Sequence, residues 1–323
     1  MKIAMNILIG IVLLVVALSF ILVYANTHPP KYPLYIPPSE YRMAYEAVSF
    51  TSEDGVSLKG WLVEPLQRPD RSGLQQRDIP QQPRHSRDSG RGVKPSHPGA
   101  RSPAIILCHG VGANKSDFTE LAVFLAKRGY SVLQFDFRAH GESNGRRTSL
   151  SYHEQKDVLA ALGFLKTRAE IDPKRIGVYG FSMGGSAAIL AAARSNGFRA
   201  LVADSAFTSL KDQARTAITG FYHLPSFPFL HLAVLGYELY FQTQVDAIAP
   251  VKVIAAIAPT PVLIIAGEGD DLIPADNGRK LYAAAKEPKE LWVIPHAEHG
   301  GTLAAAGSEY ERRVGEFFDR YLK

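Results

Sequence analysis

The hexapeptide Gly180-Phe181-Ser182-Met183-Gly184-Gly185 follows an apolar run at 175–179 and opens a segment that places Met183, Ala187, Leu190 and Ala191 on one helical face. Three glycines at a strand-to-helix junction confine the chain to a tight reversal in which a side chain would strike the neighbouring strand or helix. The residue left at the tip is Ser182. A hydroxyl presented on such a turn, ahead of a helix N-terminus that favours negative charge, is arranged for nucleophilic chemistry.

The surrounding pattern fixes the fold class. Residues 45–50 and 57–63 alternate around Ser52-Glu53-Asp54-Gly55, which reads as a β-hairpin. Short apolar strands follow at 104–108, 130–135, 175–179, 201–203, 262–266 and 291–294. Between them lie helical faces: Phe118, Leu121, Ala122 and Leu125; then Val158, Ala161, Leu162 and Leu165; and at the end Tyr310, Val314, Phe317 and Tyr321. Strands separated by helices predict an α/β domain over 41–323, with a mostly parallel sheet covered on both faces. Between 210 and 258 the alternation stops and large apolar residues crowd together, including Phe221, Phe229, Leu235 and Tyr240. This stretch is expected to form a helical cap or lid.

Three motifs occur in order: His109-Gly110 after the strand at 104–108, Asp136-Phe137-Arg138-Ala139-His140-Gly141-Glu142-Ser143 after the next, and the Ser182 hexapeptide. In this arrangement the chain resembles the α/β-hydrolase superfamily, in particular its bacterial serine esterase and serine aminopeptidase-like branch. The resemblance covers roughly 41–323 and implies an α/β-hydrolase fold with an acyl-transfer site. Fold alone does not set the substrate.

A serine hydroxyl needs a histidine to take its proton and a carboxylate to orient that histidine. The family order is serine, acid, histidine. His299, in Pro295-His296-Ala297-Glu298-His299-Gly300-Gly301 after the last strand, occupies the place of the base, with His296 as competitor. Gly267-Glu268-Gly269-Asp270-Asp271-Leu272-Ile273-Pro274 resembles the family's acid loop and selects Asp270, with Asp271 and the more distant Asp204 as alternatives. The resemblance places the oxyanion donors at the backbone N–H groups of Val111 and Met183. His109 and His140 are read as loop-holding residues, and Asp136 with Arg138 as a buried structural pair. No cofactor or metal is expected: no ligand cluster stands out, and Gly110-Val111-Gly112 lacks the lysine and hydroxyl of a nucleotide loop.

Residues 3–25 form an apolar run broken by Asn6 and Ser19, with Lys2 before it. As a helix it reaches roughly 34 Å, enough to cross a hydrocarbon core. We expect residues 1–25 to be a transmembrane signal anchor with the catalytic domain outside the cytosol, since Lys2 precedes the span and the next cation is Lys31. The alternative is cleavage near Ala25 and release. Residues 26–40 carry five prolines and read as a stiff stalk.

The formal charge of +5 is concentrated in residues 66–101, where eight Arg and Lys face three Asp. That segment has no aromatic residue and few aliphatic ones, so it is expected to be a disordered basic insertion. Nucleic acid is not an expected partner, because no aromatics interleave with the arginines to stack bases. One cysteine, Cys108, excludes an intrachain disulfide.

The sequence therefore predicts a membrane-tethered serine hydrolase acting on carboxylic esters, acyl or lipid-like, through an acyl-enzyme on Ser182. A serine peptidase using the same triad is the alternative within enzymes. A catalytically inactive, membrane-tethered binding protein is the alternative outside them.

Overall fold

The computed structural model describes residues 2–66 and 101–323, so almost all of the expected basic insertion at 66–101 lies outside the described residues. The chain begins with a long helix, α1 (Lys2–Thr27), then the hairpin β1 (Tyr45–Thr51) and β2 (Ser57–Val63). Next come β3 (Ser102–Cys108), α2 (Thr119–Lys127), β4 (Ser131–Asp136), α3 (Glu154–Thr167), β5 (Ile171–Phe181) and α4 (Met183–Ala192). After β6 (Ala200–Asp204) the helices α5 (Leu210–Thr216), α6 (Ser226–Phe241) and α7 (Pro250–Val253) interrupt the alternation. It resumes with β7 (Val262–Gly267), α8 (Asp276–Ala284) and β8 (Lys289–Ile294), and closes on α9 (Thr302–Ala306) and α10 (Ser308–Leu322).

The eight strands form one sheet in the order β1-β2-β4-β3-β5-β6-β7-β8. Pairing is antiparallel from β1 to β2 and from β2 to β4, and parallel from there to β8. This is the α/β-hydrolase fold. Its central strands are apolar throughout because helices cover both faces. Along β3, Ala104, Ile106 and Cys108 face one core with α3 and α4, while Ile105 and Leu107 face the other with α2 and α10.

The parallel strands all end on the same edge, where the three sequence motifs meet. Register pairs Cys108 with Gly180 and Phe181 with Asp204, so the ends of β3, β5 and β6 lie side by side. Above this edge sits a separate apolar cluster in which Ile218, Phe229, Leu230 and Ala233 pack with Val15, Leu18 and Val23 of α1.

Two sequence readings change. Asp136 and Arg138 do not pair with each other. β4 ends at Asp136, and Arg138 lies beyond it, ahead of the turn at Ala139 (φ 63°). Asp136 accepts from the backbone N–H of Lys115 (2.7 Å) and from its ammonium (2.6 Å), whereas Arg138 grips Asp157 (2.6 Å) and Asp54 of the hairpin turn (2.7 Å). Nor do residues 26–40 stand away as a stalk. They run along the domain, where Thr119 Oγ1 donates to the Ile36 carbonyl (2.7 Å) and the Tyr35 hydroxyl donates to Asp117 (2.8 Å).

Candidate active site

The turn at Ser182 is built by exclusion of side chains. A Cβ on Gly180 would lie 2.4 Å from the Gly184 carbonyl oxygen, and one on Gly184 would lie 2.3 Å from the carbonyl oxygen of Cys108. α4 therefore presses directly against the ends of β3 and β5. Ser182 pays for this with a backbone at φ 54°, ψ −120°, a region that costs an L-residue on the order of 1–3 kcal/mol. The strain is held by the Ser182 N–H donating to the Asp204 carbonyl (2.8 Å) and by α4 beginning immediately after it.

His299 and Asp270 reach the same point from the loops after β8 and β7. His299 Nε2 lies 3.1 Å from Ser182 Oγ, and His299 Nδ1 lies 2.7 Å from Asp270 Oδ2. A carboxylate facing Nδ1 assigns the proton to that nitrogen and leaves Nε2 as acceptor for the serine hydroxyl. Asp270 is itself fixed: its side chain is fully buried and Oδ1 accepts from the N–H groups of Leu272 (3.0 Å) and Ile273 (2.6 Å). Asp271 and His296, the neighbours that sequence left as competitors, are exposed on the surface.

Asp204, the third candidate acid, is buried at the end of β6 but faces away from His299. It accepts from Thr302 Oγ1 (2.6 Å) and from the hydroxyls of Tyr310 (2.6 Å) and Tyr179 (3.3 Å). Burial raises its pKa, while the hydroxyls pull the other way. It ties β6 to the segment that follows His299.

Met183 is the first residue of α4, so its N–H belongs to the first turn, whose donors have no partner within the helix. The loop carrying Val111 lies over the turn: a Cβ on Gly110 would come 3.1 Å from the Phe181 ring and 3.4 Å from Ser182 Cβ. Two histidines hold this loop. His140 Nε2 accepts from Gly112 N–H (3.2 Å), and His109 joins the Gly110 carbonyl (2.7 Å) to Phe137 N–H (3.0 Å). Burial lowers the pKa of both, well below the ordinary histidine value for His109. Burial also pushes the Cys108 thiol up, which keeps it unreactive.

A cavity of about 190 Å³ opens from Ser182 and Met183. Its walls come from the cap (Ile218, Ala233, Tyr237), from Leu150 and, unforeseen from sequence, from Leu22, Val23, Asn26 and Thr27 of α1. No charged side chain lines it among the described residues. A second missed feature is Glu154, fully buried, which accepts from Ser149 Oγ (2.8 Å), Thr148 Oγ1 (2.8 Å) and Ser151 N–H (2.8 Å). Ser151 in turn donates to the Met183 carbonyl (2.9 Å), so this loop braces the turn from beneath. No sequence signal marks Glu154, since it opens a helix like any surface acid. Among the described residues no group of three or more His, Cys, Asp or Glu is placed to hold a metal ion.

Comparison with known proteins agrees with the α/β-hydrolase fold. A model described as the prolyl oligopeptidase family matches residues 116–323. An uncharacterised protein of Bacillus subtilis, YqkD, is 32% identical over 67% of this chain and 70% of its own length. YfhR of Escherichia coli K12, also uncharacterised, is 29% identical over 84% of this chain and 80% of its own. Among solved structures, the Pyrococcus furiosus esterase Pf2001 is 27% identical with a TM-score of 0.67, covering 91% of this chain and 100% of that one. An acetyl xylan esterase from Paenibacillus sp. R4 shares the fold at 19% identity, with a TM-score of 0.63, 85% of this chain and 83% of that one being covered.

Proposed function

Since this chain belongs to the prolyl oligopeptidase family and is a serine hydrolase by fold, we propose that it is an esterase acting on acyl or lipid-like esters through Ser182, His299 and Asp270. The observation that carries the reading is the unbroken hydrogen-bonded series from Ser182 Oγ through His299 to Asp270, set at the mouth of an uncharged, apolar cavity.

In the first half-reaction Ser182 Oγ attacks the ester carbonyl while His299 Nε2 takes its proton, and Asp270 stabilises the imidazolium. The developing oxyanion is received by the N–H groups of Met183 and Val111; losing one such donor costs about 3–4 kcal/mol of transition-state stabilisation. Collapse breaks the ester C–O bond, and the alcohol leaves with the proton from His299. Water then attacks the acyl-enzyme and gives its proton to His299, which passes it to Ser182 Oγ as the acyl C–O bond breaks and the acid leaves.

The apolar cavity favours ester substrates over the free-amine substrates of an aminopeptidase. An aminopeptidase must bind a protonated substrate amine, and a wall without a carboxylate leaves that charge desolvated and unpaired. The cavity also favours a retained N-terminal helix over a cleaved one: cutting near Ala25 would remove Leu22 and Val23 from its wall. We take α1 as a membrane anchor with the domain outside the cytosol, on its length of 26 residues and the position of Lys2.

The reading is tested with an active-site fluorophosphonate. Ser182→Ala is expected to abolish labelling and to lower ester turnover by about 10⁶-fold. Labelling that persists in that variant overturns the assignment. Turnover of aminoacyl amides in preference to medium-chain esters would move the protein to the peptidases.

A further inference from the structure

The N-terminal helix has two halves with different surroundings. Ile3, Leu8, Leu13 and Leu14 are exposed, whereas Val15, Leu18 and Val23 pack on the cap. Close contact runs along α6: a Cβ on Gly236 would lie 3.4 Å from the Phe20 ring. The end of α1 is pinned, with Thr27 buried and its carbonyl accepting from Thr148 N–H (2.8 Å).

The apolar run is bounded by Lys2, which sets a depth scale. A hydrocarbon core of ~30 Å takes up about 20 helical residues, which reaches Leu22. The part of α1 clear of the domain ends near Leu14, roughly 20 Å from Lys2. A spanning α1 therefore cannot leave the cap in water: the helix enters the hydrocarbon with α6 already against it.

The outward side of α6 suits that position. Phe227 (74%), Leu235 (49%) and Leu239 (63%) are exposed. The carboxylate of the helix, Glu238, is turned to accept from Val245 N–H (3.0 Å). At the level of Leu22 and beyond, the apolar surface gives way to amphipathic rings. Tyr24 stacks on His28 at 3.9 Å, the Tyr240 hydroxyl lies 3.2 Å from His28 Nε2, and Arg147 covers the Tyr240 ring at 4.6 Å. Tyrosines and a cation of this kind mark a headgroup boundary.

Leu22 and Val23, which sit at that boundary, are also walls of the Ser182 cavity. We propose that α6 is embedded in the same leaflet as the second half of α1, and that a single-chain ester lipid passes sideways from the bilayer into the cavity along the α1–α6 seam. Leu22 and Val23 then set acyl specificity. The inference rests on the esterase reading and specifies its substrate: a monoacyl lipid whose tail never crosses water.

The test uses the full chain in phosphatidylcholine vesicles, with 1-monooleoylglycerol as membrane substrate and p-nitrophenyl acetate as soluble substrate. Tryptophan placed by Leu235→Trp is expected to be quenched by lipids brominated on their acyl chains, and tryptophan placed by Lys211→Trp is not. Leu235→Asp with Leu239→Asp is expected to lower monooleoylglycerol turnover about tenfold or more while acetate turnover stays within about twofold of the parent. Val23→Trp is expected to lower the ratio of decanoate to acetate ester turnover by at least about tenfold. Absence of quenching at 235, or unchanged monooleoylglycerol turnover in the double aspartate variant, overturns the embedding. An unaltered chain-length ratio in Val23→Trp overturns the specificity role. Failure of the esterase reading is separate: acetate turnover and fluorophosphonate labelling would be missing from the parent, while the quenching result would stand.

Discussion

The strand-edge site and the cavity wall differ in how their geometry is held. At the edge, Ser182, His299 and Asp270 are positioned by hydrogen bonds of fixed direction and by glycines that admit no alternative packing. In the wall, α1 and α6 meet through apolar side chains whose contacts are non-directional. The first region is specified atom by atom; the second needs only apolar groups of about the right volume. The proposed triad is therefore rigid and the cavity beside it adaptable.

The sharpest way to probe the rigid half is its acid. Asp270→Asn should keep the fold, because the amide carbonyl still accepts from Leu272 and Ile273, but it cannot hold the Nδ1-protonated imidazole in place. Turnover is expected to fall by about 10⁴-fold. Asp271→Asn, one residue away and exposed, is expected to remain within about twofold of the parent, as exposed positions away from the site usually do. Equal losses in the two variants would show that the loop, not one carboxylate, carries the role.

Next in size is the elbow. Gly184→Ala places a Cβ where the Cys108 carbonyl oxygen stands, and both atoms belong to buried backbone. Overpacking of this sort costs typically about 1–3 kcal/mol, and more where the backbone must move. Thermal unfolding should show a clear drop in Tm, with turnover falling more than stability because Ser182 moves with α4. A matched change in the wall, Ala233→Gly, is expected to shift Tm by much less. Similar shifts would mean that the cap is as tightly specified as the sheet edge.

That contrast also explains what the sequence made readable. The glycine spacing around Ser182 and the alternation of strands and helices are local patterns, so the elbow and the parallel sheet could be read directly. Asp270 and His299 lie 29 residues apart, but each follows a strand, and strand ends converge on one edge. Direction beyond the strand was harder: Asp136 and Arg138 are two residues apart yet pair with different partners, a tertiary outcome that no local pattern carries. The α1 contribution to the cavity was out of reach. An apolar helix reads the same whether lipid or a cap covers it, and only the tertiary contact between Val23 and α6 distinguishes the two.

The smallest effect separates the two regions by pH. His109 and His140 are buried under the oxyanion loop with lowered pKa values, chiefly because burial opposes their charged form. Below the unfolded value of 6.5 the unfolded chain takes up protons that the fold excludes, so stability present above that pH is lost as pH falls. His140→Gln keeps an acceptor for Gly112 N–H but cannot titrate. Between pH 6.5 and 5.5 the parent is expected to lose more than this variant, by at most about 1 kcal/mol. Urea unfolding midpoints at both pH values provide the measurement, and comparing the two proteins cancels Asp157, which burial raises to about 6 and which titrates in the opposite sense. If His140→Gln keeps the acid slope of the parent, the acid-sensitive element lies away from the oxyanion loop, and the assignment of acid sensitivity to the rigid edge fails.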